Sequence, residues 1–160
     1  MPSLISPLTT SSVIYCADCH ASDTGPGAGG TGPRGPHGST YPHILERNYT
    51  TLDNTPESPT AYALCYKCHS ETVLMDPTKT AFKTHMTHVR TNSIPCSACH
   101  DSHGVSVLQG NTVNNAHLVD FDVSIVSQNT FGLLQYTNQG PRAGTCSVSC
   151  HGVNHNNQGY

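Results

Sequence analysis

The chain has 160 residues with a net charge of −3, only 7 Lys and Arg, 11% charged and 35% hydrophobic residues. That balance excludes a basic nucleic-acid footprint and leaves too few apolar side chains for an ordinary core. No run approaches the ~20 apolar residues of a membrane-spanning helix, and no Walker or Rossmann glycine motif is present.

Residues 1–12 read as an N-terminal arm. The stretch 1–15, MPSLISPLTTSSVIY, lacks the basic and continuous apolar regions of a signal peptide. Cys16-Ala17-Asp18-Cys19-His20 follows, the first C-x-x-C-H. Residues 25–38, GPGAGGTGPRGPHG, have the composition of a flexible linker and carry His37. Asn48-Tyr49-Thr50 is a sequon. Cys65-Tyr66-Lys67-Cys68-His69 is the second C-x-x-C-H. In 79–90, Phe82, His85, Met86 and Val89 have helical spacing, with His85 and His88 near one face. Cys96-Ser97-Ala98-Cys99-His100 is the third motif, with His103 three residues on. Residues 118–126, LVDFDVSIV, alternate as a strand does and are expected to pair with 131–136 as a hairpin. Cys146-Ser147-Val148-Ser149-Cys150-His151 is a variant one residue longer, and 152–160 is a polar tail.

All 8 Cys fall in these four motifs, each second Cys followed by His. Composition alone yields about 0.03 C-x-x-C-H matches in such a chain. Zinc sites would explain paired Cys but not the adjacent His, and disulfides predict no His at all. C-x-x-C-H is the attachment motif of c-type haem. Two thiols join the porphyrin, and the next His is an axial ligand of the iron. The sequence therefore predicts four haem c groups. Cys16, Cys19, Cys65, Cys68, Cys96, Cys99, Cys146 and Cys150 hold them. His20, His69, His100 and His151 are the proximal ligands. The haems supply the missing core, so the expected fold is one domain over 1–160, mostly irregular coil with short helices and one β-hairpin. Covalent attachment takes place outside the cytoplasm. The expected location is thus extracellular or cell-surface, with the periplasm as alternative, and Met1 sits awkwardly with the loss of a leader.

Seven His remain, and Met is scarce, so bis-His ligation is expected. The distal candidates are His37, His85, His88 and His103, with His117 and His155 in reserve and His43 weakest. His103 is expected to cap the haem of Cys65 and Cys68. One of His85 and His88 is expected to cap that of Cys96 and Cys99, making these two haems reciprocal partners.

The ordered set of motifs over 13–160 (CxxCH, GPHGS, LCxKCH, FxxHxxHV, CxxCHDxHGV, HLxxFD, CxxxCHGxxH) resembles the small tetrahaem c-type cytochromes of metal-reducing bacteria and some archaea. These include the subunits of extracellular cytochrome filaments, the cytochrome nanowires. The resemblance implies electron transfer rather than enzymatic turnover. It also implies a head-to-tail homopolymer in which a neighbouring subunit donates a distal His, with redox proteins or extracellular acceptors as partners. The alternatives are a monomeric periplasmic shuttle, a multihaem reductase and a zinc-binding module.

Overall fold

A computed structural model describes residues 3–160, so Met1 lies outside the described residues and the arm is followed from Ser3. Coil and turns dominate, as the Gly and Pro content requires. The helices are single turns: α1 (Cys16–Cys19), α2 (Glu71–Leu74), and 3-10 turns at Pro26–Ala28, Pro42–Ile44, Cys65–Lys67 and Cys96–Ala98. The helical spacing read over 79–90 is realised late and loosely, as a π-helical stretch Met86–Thr91 with His85 as its cap.

The C-terminal third forms an antiparallel sheet of β1 (Val126–Ser127), β2 (Gln135–Asn138), β3 (Gly144–Cys150) and β4 (Val153–Gly159). β1 and β2 lie in succession along one edge of β3, and β4 pairs with β3 across a tight turn at 151–152. This corrects two expectations. The runs 118–126 and 131–136 do not form a hairpin with each other. Asp122 Oδ1 accepts the Ser124 backbone N–H and hydroxyl, and Val126 N–H donates to the Asp122 carbonyl, so the alternating run closes into a turn. Asn129 Oδ1 likewise folds 129–133 by accepting the N–H groups of Phe131 and Leu133. The polar tail is not a tail, because its backbone completes β4.

The Gly-rich segment is also more ordered than a linker. Ser22 N–H donates to the Gly35 carbonyl, Gly30 N–H to Gly25 and Gly32 N–H to Thr24, folding it into stacked turns. A Cβ at Gly30 would meet the Thr24 carbonyl, so this close approach requires glycine.

Two small apolar clusters make the interior. One holds Ala61, Tyr62, Met75 and Val89, with Cys65 and Cys96 packed against it. The other holds Ile94, Ala98, Val126 and Val148, with Cys99, Cys146 and Cys150 packed against it. Among the described residues no helix is long and apolar enough to cross a membrane.

Candidate haem attachment sites

Three of the four motifs share one local geometry. Cys16–Cys19, Cys65–Lys67 and Cys96–Ala98 each form a single helical turn. The following His closes each turn by donating its N–H to the first Cys carbonyl, at 2.7 Å for His20, 3.0 Å for His69 and 3.0 Å for His100. On such a turn, side chains three residues apart lie on one face about 5–6 Å apart. Both thiols and the imidazole therefore leave the backbone from one turn, as attachment at two porphyrin edges beneath one iron demands.

A second segment returns to each turn and fixes the imidazole. Leu45, Leu4 and Val119 make isolated antiparallel bridges with His20, His69 and His100, respectively. In the same order, Glu46, Ile5 and Asp120 donate their N–H groups to the carbonyls of Cys19, Cys68 and Cys99, at 2.8, 2.9 and 3.0 Å. His20 Nδ1 donates to the His43 carbonyl at 2.8 Å, and His100 Nδ1 to the His117 carbonyl at 3.1 Å. His69 Nδ1 shares a hydrogen bond with Ser3 Oγ at 3.1 Å. A carbonyl only accepts, so it fixes the proton of His20 and His100 on Nδ1 and leaves the Nε2 lone pair for a metal. Burial pushes His69 and His100 down from their ordinary values, which favours the same neutral form. The donor set fits haem c at all three motifs.

The carbonyls of His43 and His117 are functional groups that motif reading misses. A signal was present in the sequence: His43-Ile44-Leu45-Glu46 and His117-Leu118-Val119-Asp120 repeat one pattern of His, two aliphatics and an acid. In both copies the His and the next residue have positive φ: 61° and 54° at 43–44, 63° and 59° at 117–118. Their exposed imidazoles are secondary to their backbones. The buried carboxylate of Glu46 is met by Lys67 Nζ at 2.6 Å, and Lys67 also donates to the Asp18 carbonyl, tying the first motif to the second.

The fourth motif does not share this geometry. Cys146 and Cys150 lie on β3, where four residues span about 13 Å of backbone. His151 occupies the β3–β4 turn with φ 48°, and its Nε2 donates to both Asp53 oxygens at 2.9 and 2.8 Å. The atom left free in the other three motifs is engaged here, so these residues as arranged do not reproduce the attachment turn.

The distal candidates are dispersed. His103 lies beside His20, ring centres 6.1 Å apart and 14° from parallel, not beside the second motif as expected. His88 donates Nδ1 to the Thr84 carbonyl and lies 6.2 Å from His155, which stands opposite Val148 on β4. His85 Nδ1 is held by Thr80 Oγ1 at 2.8 Å, and burial with His100, His88 and His69 nearby pushes the ring down to about 4. His37 is exposed on the Gly-rich turns.

The motif cysteines neighbour one another in sequence order. The Cys68 thiol contributes to the upward push on Cys19, after burial. Cys65 and Cys96 pack against the same apolar cluster, and Cys96 nearby, together with burial, pushes the Cys65 thiol up. Cys99 is pushed up to about 12 by burial, with Cys146 and Cys150 adding to it. Among the described residues no three His, Cys, Asp or Glu side chains converge as a metal-holding group, so the tetrahedral zinc set of Cys and His is not assembled.

A model of the doubled CXXCH motif family matches residues 6–74, which hold the first two motifs and the Gly-rich segment between them. Over that stretch the chain is similar to multihaem c-type cytochromes. No curated protein and no solved structure matches the chain. The mostly irregular fold, with few short helices and a small sheet, agrees with a small multihaem cytochrome, whose haem groups serve electron transfer.

Proposed function

We propose that this cytochrome carries electrons through four covalent haems as a subunit of an extracellular filament. The observation that carries the reading is the succession of attachment cysteines. Lys67 of the second motif donates to the Asp18 carbonyl of the first, Cys65 and Cys96 pack on one apolar cluster, and Cys99, Cys146 and Cys150 pack on the other. Cofactors tethered at these points follow one another in motif order from one end of the chain to the other. When bound, the haems supply one-electron chemistry, and the chain supplies spacing, ligation and burial. His20, His69 and His100 would present Nε2, with Nδ1 held in each case by a partner from a distant segment. His85 and His88, with Nδ1 similarly held, suit the distal role.

Cys146 and Cys150 enter as the fourth attachment pair on their spacing in the sequence and their place beside Cys99. The filament reading draws support from exposed apolar side chains, among them Val107 at 92%, Leu108 at 93% and Phe131 at 68% exposure. Apolar side chains exposed in this way are available for subunit contacts. Exposed His37 is the candidate ligand for an iron of the next subunit. A heterologous contact of that kind builds an open polymer when its rotation does not close.

Two measurements on material isolated without denaturant test the reading. Intact mass is expected to retain four haems after acid–acetone extraction, and cryo-electron microscopy is expected to reveal filaments. A monodisperse monomer whose irons are all low-spin would replace the filament with a soluble shuttle. Open, high-spin irons would move the reading to a reductase.

A further inference from the structure

We infer that His103 is the distal ligand of the first haem, the one tethered at Cys16 and Cys19, so that residues 100–103 span two irons. The inference rests on the haem reading above. A metal–imidazole bond is about 2 Å and the ring nitrogen lies about 1.1 Å from the ring centre, so two imidazoles on opposite sides of one iron have centres about 6.2 Å apart. The centres of His20 and His103 are 6.1 Å apart with planes 14° from parallel.

Both rings are prepared for this role. His20 Nδ1 donates to the His43 carbonyl at 2.8 Å, leaving Nε2 as the ligand atom. His103 Nδ1 faces Asp101 Oδ1 at 3.5 Å, so its Nε2 is also uncommitted. Asp101 holds the loop as well. Its Oδ1 accepts the His103 N–H at 2.7 Å, its own N–H donates to the Leu118 carbonyl, and Gly104 N–H returns to the Asp101 carbonyl. Gly104 completes the turn at φ 99°, a conformation that favours glycine. The backbone that carries His103 is therefore held, with the side chain 80% exposed. His100, three residues earlier, serves the third motif. The short stretch His100-Asp101-Ser102-His103 thus links the first and third irons by covalent bonds, a route that motif order alone does not suggest.

The test is His103→Ala in the haem-loaded full chain. It is expected to convert one low-spin iron to high-spin in the ferric EPR spectrum, and added imidazole is expected to restore it. In the same variant, hyperfine-shifted haem methyl signals should show contacts to Cys16 and Ala17. A second variant, Cys16→Ala/Cys19→Ala, removes the first haem, and adding His103→Ala to it should create no further high-spin iron. Contacts to Tyr66 and Lys67 instead would return His103 to the second haem and overturn the inference. An unchanged low-spin spectrum in His103→Ala would also overturn it. If the wild-type chain retains no covalent haem by mass, the haem reading itself fails, an outcome distinct from both.

Discussion

The segment from Cys16 to His100 and the sheet from Val126 to Gly159 solve the placement of a Cys pair in different ways. In the first, each pair sits on a turn closed within five residues by one His N–H to Cys carbonyl bond, and a returning strand segment locks the imidazole. In the second, the extra residue between Cys146 and Cys150 accompanies an extended backbone whose hydrogen bonds go to β1, β2 and β4. A local turn presents three side chains on one face without help from elsewhere. A strand places its Cys pair only through its partners. In the first three motifs, then, the spacing of the Cys pair is local and only the imidazole's partner comes from afar, whereas in the fourth the Cys pair itself is placed by the sheet.

The largest expected effect separates the two regions directly. Cys65→Ala/Cys68→Ala removes a haem from a region whose regular structure is limited to single helical turns, so no folded chain should be recovered, whereas around Cys146 and Cys150 strand pairing holds the backbone. Cys146→Ala/Cys150→Ala should leave a folded chain retaining three haems by intact mass. Equal collapse of both variants would erase the distinction.

Burial, aided by His100, His88 and His69, pushes His85 down to about 4, so its ring stays neutral and able to bind iron as pH falls through the ordinary value near 6.5. Ferric EPR spectra between pH 7 and 5 should therefore gain no high-spin iron, whereas His85→Gln should show one high-spin iron throughout that range.

Arg90→Ala probes a buried acid in the same region. Arg90 Nε binds Glu57 Oε2 at 2.7 Å and its guanidinium reaches Glu71 at 2.8 Å, while Glu57 is only 2% exposed and also accepts the Tyr66 hydroxyl. Leaving Glu57 without its cation should cost about 2 kcal/mol, the partial exposure of Arg90 reducing the full buried-pair value. Chemical denaturation reads this directly.

Asp53→Ala sharpens the comparison from the other side. It releases His151 Nε2 and should cost about 1 kcal/mol. Its optical changes should be confined to one haem. Changes at two or more would mean that the fourth site is not separable. The smallest effect belongs to Tyr160→Phe, which removes the 2.8 Å hydroxyl contact with Tyr136 across the sheet. Thermal melting should report a loss of up to about 1 kcal/mol, with haem spectra unchanged.

The sequence by itself determined the attachment chemistry and the class of fold. A C-x-x-C-H turn closes through one bond between residues four apart, so its geometry follows from local spacing wherever it occurs. The shortage of apolar and charged residues likewise implied a coil-rich chain. Tertiary structure alone decided which imidazole meets which motif. His20 faces His103, and its Nδ1 proton is set by the His43 carbonyl, through approaches of segments remote in the chain. It also decided the state of 118–160. There the alternating run lost to side-chain turns at Asp122 and Asn129, and a polar stretch became β4 because β3 offered an unpaired edge. Period-2 patterning reports burial of one face, but strand pairing depends on which backbone is left with free hydrogen-bonding groups, and only the assembled fold determines that.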